Sequence, residues 1–573
     1  MKPAGRTAKR AAARADSRKP RAAARTSATQ PAPALLVQRH PFLTAAVPLA
    51  LYLLLSFLTF LPQPHTGGDS AQYLTLARSL VAGTGYTDLY DPLQLPHTKY
   101  PPVFPLLLAA GIVAGLKTWV QLKLVMVLIG GAAITFTYLF IRRRGRPVLA
   151  TGVALILALS PGVLEQTHWL LSDVPFWMFT MLALWAFDRL RPHQWGRFAV
   201  AVIAMTLAYF TRSAGLPLLL ACAGWLAWRR RWVQLAATLT VVTPPALLWW
   251  LRARNTGGVA YAQEFWFVNP YQPDLGMIGV PELFGRIGEN AFKYATIHLP
   301  VLLTGGLGTV ATALALLVTA FALFGWATRL RRTMVAELLM PLYIGLLFVW
   351  PAVWSGERFL LPIFPLLLYY AATGAARLLQ RVAPPVMLAV AGATVALLLM
   401  IMTPALSAGV AAGRACTSQF RQGETYPCLF GPERSYFDVA AWAAAALPDD
   451  AVVLSRKPRL FYAISDGIRG TNYPMSADPD ALFSLADSVG ARYVVYDRLT
   501  SLADAYLAPV LLSRPAAFCV LRSFGTDGTV VFGIRPGARS LAPPPPGTPQ
   551  DGRFEACDDS YLKRPAQRPP AAP

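Results

Sequence analysis

Two ionisable groups flank apolar runs near the start of the chain. Asp69 lies in Gly67-Gly68-Asp69-Ser70-Ala71-Gln72-Tyr73, just after the apolar residues 41–61. Lys99 lies in His97-Thr98-Lys99-Tyr100-Pro101-Pro102, just before a second apolar run. A carboxylate can take a proton from a hydroxyl, and an ammonium can hold a phosphate oxyanion. At one membrane face the pair suits chemistry on a phosphate-bearing lipid. Three further charged residues sit at ends of apolar segments: Asp173 in Leu171-Ser172-Asp173-Val174-Pro175, Arg212 in Thr211-Arg212-Ser213, and Arg358 in Gly356-Glu357-Arg358-Phe359.

Each of these residues has a plainer reading. Asp69-Ser70-Ala71-Gln72 fits a capping box ahead of an amphipathic run. Asp173 could cap a helix that carries Pro175 in its first turn. Lys99 could snorkel at an interface, and Glu357 could simply pair Arg358. His65, His97 and His168 share no metal-ligand spacing. No cofactor is expected from these residues, although a divalent metal stays open.

The elements that must position these residues are membrane helices. Of 573 residues 55% are hydrophobic and only 14% charged, too apolar for a soluble protein of this size. The net charge of +23 does not point to nucleic acid, because the basic residues cluster at the ends of apolar segments. Residues 1–40 hold about ten Lys and Arg in an Ala/Pro/Ser-rich stretch, which reads as a disordered cytoplasmic tail near anionic lipid.

With that tail inside, the first crossing (41–61) puts loop 62–100 outside. The apolar residues 101–116 are too short to cross and read as a re-entrant or interfacial helix. Crossings then follow at 119–141, 148–164, 174–187, 198–210, 216–228, 232–250, 299–326, 336–349, 359–372 and 386–402. Inward ends carry arginine runs, such as Arg142-Arg143-Arg144 and Arg229-Arg230-Arg231. The fold expected is a polytopic α-helical membrane protein of about eleven crossings. Asp69, Lys99, Asp173, Arg212 and Arg358 all fall on its outer side.

Beyond the last crossing the composition becomes that of a soluble α/β domain, expected over 406–540 outside the membrane. Ala451-Val452-Val453-Leu454 and Tyr493-Val494-Val495-Tyr496 read as buried strands, with helices over 435–446 and 478–488. Cys416, Cys428, Cys519 and Cys557 fall here, as disulfides outside the cytosol would. Cys416–Cys428 and Cys519–Cys557 are the preferred pairs among three connectivities. A proline-rich, disordered tail is expected over 541–573.

At these residues the chain resembles the GT-C glycosyltransferases, in particular the bacterial branch related to protein O-mannosyltransferases and the lipid A aminoarabinose transferase. Gly68-Asp69-Ser70-Ala71-Gln72-Tyr73 resembles the first external-loop motif, and Lys99-Tyr100-Pro101-Pro102 the segment that follows it. Leu171-Ser172-Asp173, Thr211-Arg212-Ser213 and Arg358-Phe359-Leu360-Leu361-Pro362 resemble later landmarks. The likeness covers residues 41–405, the expected transmembrane catalytic domain. It implies a polyprenyl-phosphate sugar donor, a lipid, glycan or protein acceptor, and an external active site in a bacterial inner membrane. Asp69 would be the catalytic base, with Lys99, Tyr100, Asp173, Arg212 and Arg358 binding substrate. Many relatives carry two adjacent acids in the first loop, whereas Ser70 follows Asp69 here.

Other classes fit less well. A transporter or flippase of lipid-linked sugars would place its acids or broken helices near the bilayer midplane. A binding module on a membrane anchor would need one helix rather than many.

Overall fold

The computed structural model describes residues 41–144, 146–255, 261–541 and 554–563. The basic tail expected over 1–40 lies outside the described residues. The chain begins with α1 (Pro41–Leu58), α2 (Gly68–Val81), α3 (Val103–Val113) and α4 (Trp119–Arg143). A bent pair follows, α5 (Pro147–Leu159) and α6 (Pro161–Thr167), then α7 (Asp173–Phe187), α8 (Trp195–Thr211), α9 (Leu216–Trp228) and α10 (Trp232–Asn255). The next segment carries α11 (Tyr261–Trp266) and α12 (Val280–Lys293). Next come α13 (Leu299–Thr304), α14 (Thr309–Ala327), α15 (Val335–Val349), α16 (Phe364–Leu378) and α17 (Pro384–Arg421).

Four helices among the described residues are long and apolar enough to cross a membrane, or five if the bent pair forms one span. Several expected crossings are shorter apolar helices packed against them. The stretch 148–164 is not straight: Ser160 is extended ahead of Pro161, which starts a new helix, and the two halves meet at 67°. The stretch 299–326 is also interrupted. Gly305, in the left-handed region at φ 78°, ends α13 before α14 begins. The α3 helix is 11 residues long.

The bundle has two polar ends. Asp188 closes the C-terminus of α7 and accepts from Arg144 Nε at 3.1 Å, while Arg144 Nη1 meets Glu337 of α15 at 2.5 Å. Tyr370 Oη donates to Glu337 at 3.0 Å. Asp173 starts α7, so the outer cluster described below lies at the other end of that 15-residue helix, about 22 Å away. In mid-bundle α14 and α16 touch backbone to backbone, and a Cβ added at Gly325 would fall 2.0 Å from the Tyr370 carbonyl oxygen.

After α17 the chain builds α18 (Gly431–Ala446), β1 (Val452–Leu454), α19 (Pro458–Ile464), β2 (Arg469–Thr471), α20 (Pro479–Val489), β3 (Tyr493–Tyr496), α21 (Ala508–Ser513), β4 (Phe518–Phe524) and β5 (Thr529–Ile534). The sheet order is β2-β1-β3-β5-β4, with β2, β1 and β3 parallel and the other pairings antiparallel. A single helix, α17, runs through residue 405, so no break separates bundle from domain at that point. Cys416 is bonded to Cys428 and Cys519 to Cys557. Within the expected C-terminal tail, residues 554–563 pack on the domain: Ala556 bridges Val520, and Tyr561 is buried and donates to the Ile534 carbonyl at 3.0 Å. The Cys519–Cys557 bond fixes this return, so a disordered tail does not describe these ten residues.

Asp497, just after β3, is fully buried. Burial raises its carboxyl to about 6, although the Leu499 N–H, Lys457 and Arg456 pull the other way. A raised acid binds more protons folded than unfolded between about pH 4 and 6, so the domain should lose stability as pH rises through that window. The change should approach about 3 kcal/mol. Unfolding of wild type and Asp497→Asn across pH 4–8 tests this: the variant should lack that slope, and equal slopes would refute the assignment.

Candidate active site

The Asp69 carboxylate does not cap its helix. Gly67 is the N-cap and Asp69 lies in the first turn of α2, where the N-terminal dipole favours an anion. Its oxygens face outward to two partners: Tyr100 Oη donates to Oδ1 at 2.8 Å, and Arg358 Nη2 to Oδ2 at 2.9 Å. Asp69 and Arg358 keep 30% and 28% of their side chains exposed, so the pair is reachable from outside. Burial opposes the ionised form of Asp69, yet Arg358, Tyr100 and Arg459 of α19 outweigh it and hold its carboxyl well below the usual range.

Asp173 is likewise inside its helix, not the cap, and is 1% exposed. Arg212, at the end of α8, meets its carboxylate at 2.8 Å and reaches Ser172 Oγ at 3.2 Å. Ser172 is joined at 2.8 Å to the Tyr73 hydroxyl of α2, which links the Asp173–Arg212 pair to the helix bearing Asp69. Glu357 does not pair Arg358; His298 Nδ1 approaches Glu357 at 3.8 Å.

Lys99 projects beside the Trp354 ring, 5.2 Å from its centroid, and donates to both oxygens of Glu264 at 2.8 Å. Sequence reading missed Glu264. An acid in an external loop needs no explanation there, and its only signal is the aromatic Glu264-Phe265-Trp266 run that folds as α11. Also missed was the support under Tyr100. Asp88 accepts from Gln72 at 2.8 Å and meets His97 Nδ1 at 2.9 Å, while His97 Nε2 accepts from the Tyr100 N–H at 2.8 Å. This fixes the tautomer, with the proton on Nδ1. Burial pushes the His97 pKa down despite Asp88, so the ring stays neutral and keeps its acceptor.

The histidines do not converge. His65 Nδ1 accepts from the Gly67 N–H at 2.9 Å, and His168 Nε2 lies 3.0 Å from the Ser56 carbonyl. The C-terminal α/β domain completes the rim. Lys457 Nζ donates to the Thr66 carbonyl at 2.9 Å, and the Gly470 N–H to the Tyr90 carbonyl at 2.8 Å. Asp69, Tyr100, Arg358, Asp173 and Arg212 thus form one cluster at one end of the bundle, with Lys99 beside Tyr100 on the same loop. The arrangement offers cations that can neutralise an anion and a carboxylate that could accept a proton once Arg358 releases it.

The sequence matches no family model and no curated protein. Solved structures do match, and the chain has the fold of the GT-C glycosyltransferases. ArnT from Cupriavidus metallidurans in the apo state aligns with a TM-score of 0.52 and 16% identity, over 88% of this chain and 99% of that one. The same protein bound to undecaprenyl phosphate gives 0.50 and 17%, over 86% and 98%. The Archaeoglobus fulgidus oligosaccharyltransferase tethered to an acceptor peptide gives 0.53 and 14%, over 87% and 75%.

Proposed function

We propose that this protein is an integral membrane glycosyltransferase. It moves a hexosyl or pentosyl unit from a polyprenyl-phosphate donor to an acceptor hydroxyl on the extracytoplasmic face of a bacterial inner membrane. The supporting observation is the Asp69–Tyr100–Arg358 constellation beside Lys99 and Arg212, on a fold shared with ArnT bound to undecaprenyl phosphate. The arrangement of about eleven crossings belongs to the same proposal.

The acceptor oxygen attacks the anomeric carbon from the face opposite the phosphate, with inversion. Its proton passes to Asp69, and the anomeric C–O bond breaks with its electron pair going to the lipid phosphate. Arg358 has two roles that oppose each other. While it holds Asp69 it makes that carboxylate a poor base; as it turns toward the leaving phosphate, Asp69 recovers basicity. Lys99 and Arg212 add positive charge where the leaving group gains negative charge.

Purified protein incubated with radiolabelled polyprenyl-phosphate sugars and membrane extract should yield a labelled product with one donor. Label that leaves no donor across the panel would overturn the reading. Glu264 competes with the donor phosphate for Lys99. Lys99→Ala should therefore raise the KM for donor by about tenfold, the value of one charge-assisted contact, and Glu264→Gln should lower it several-fold. Donor titrations of both variants check this, and parallel shifts in the two would contradict the competition.

A further inference from the structure

The inward end of the bundle carries a cavity of about 740 Å³ between the α7–α8 and α9–α10 connections, lined by Arg189, Leu190, Trp225, Arg229, Arg230 and Arg231. It lies away from Asp69, because Arg189 follows the C-terminus of α7 and Asp173 its N-terminus. Arg231 is held within the protein: it donates to the Leu190 carbonyl at 2.8 Å and stacks 4.9 Å from the Trp225 ring. Among the described residues the side chains of Arg189, Arg229 and Arg230 make no hydrogen bond or ion pair, and all three residues are exposed.

The positive-inside rule accounts for arginines in inward loops, but not for two further features. Arg189 at φ 51° and Arg230 at φ 54° adopt the left-handed region in the turns that end α7 and α9, and at α9 the Arg231 N–H returns to the Leu226 carbonyl at 2.9 Å. Both turns bring an arginine to the same cavity. In addition, Trp195, Trp228 and Trp232, at the ends of α8, α9 and α10, are 48%, 61% and 60% exposed. Tryptophans so placed mark the level of lipid headgroups.

We infer that this cavity binds the phosphate of an anionic phospholipid of the cytoplasmic leaflet. The guanidinium forks of Arg189, Arg229 and Arg230 would meet the phosphate oxygens, with the tryptophans alongside the glycerol and upper acyl chains. A lipid is favoured over free phosphate because the outer faces of α9 and α10 beside it are apolar and open, with Leu220 and Leu239 about half exposed.

The test uses the full chain in nanodiscs of phosphatidylglycerol mixed with phosphatidylcholine. Native mass spectrometry of released protein counts retained lipid, and a second arm supplies inorganic phosphate in discs of phosphatidylcholine alone. Each surface cation near an anionic leaflet is worth about fivefold, so changing Arg189, Arg229 and Arg230 together to Gln should weaken phosphatidylglycerol retention about 100-fold. Phosphatidylcholine retention, melting temperature and sugar transfer should not change. Equal phosphatidylglycerol retention by wild type and variant would overturn the inference. So would binding of inorganic phosphate without any lipid preference.

Discussion

Asp69→Asn is expected to lower sugar transfer by about 10²–10⁴-fold, the usual cost of losing a general base. Asn keeps the shape and an oxygen for the Tyr100 hydroxyl, but cannot accept the acceptor's proton. The Asp69–Arg358 pair is nearly a third exposed, so its loss should cost little stability. Melting should therefore stay close to wild type while turnover collapses. Transfer of a labelled sugar, measured beside thermal unfolding, separates the two. Near wild-type turnover in the variant would remove Asp69 from the reaction. The same geometry sets a pH expectation. Arg358 and Tyr100 keep the carboxyl ionised well below neutrality, so activity should persist as pH falls from 7 to 5 rather than titrate away.

Glu337→Ala should be the most damaging change to stability, about 3–5 kcal/mol. Glu337 and Arg144 are 0% and 2% exposed, and Glu337 also accepts from Tyr370. Removing the acid leaves a guanidinium buried among the Phe140 and Tyr369 rings with only Asp188 to answer it. Breaking one partner costs far more than replacing both. Replacing the whole set, Arg144→Met with Glu337→Leu and Asp188→Asn, should therefore recover much of the loss. Thermal unfolding in detergent of the single and triple variants measures it, and a single variant that melts with wild type would show Glu337 to be dispensable.

The outer cluster was legible because an ionisable group at the end of an apolar run has few ordinary reasons to be there. Asp69, Lys99, Asp173, Arg212 and Arg358 are all marked by that contrast, and Tyr100 follows Lys99 on the same loop. Glu264 gave no such contrast in its polar loop, and neither did Asp88, whose link to His97 depends on a loop closing on itself. Apolarity also says how greasy a stretch is, not whether it runs unbroken. The stretch 299–326 read as one helix, yet Gly305 divides it. Strands β1 and β3 stood out by their valines. Strand β2, Arg469-Gly470-Thr471, has no alternation, and forms because Gly470 lets the backbone close on Val453, where a Cβ would fall 2.1 Å from the carbonyl oxygen.

The clasp formed by Lys457 on Thr66 and Gly470 on Tyr90 grips the first external loop on both sides of α2. The soluble portion is thus a jig for the reactive helix rather than cargo hung from the bundle. On the role proposed for Asp69, a shift of its edge strand β2 would change the angle at which that carboxylate meets an acceptor, because Gly470 of that strand holds Tyr90 directly.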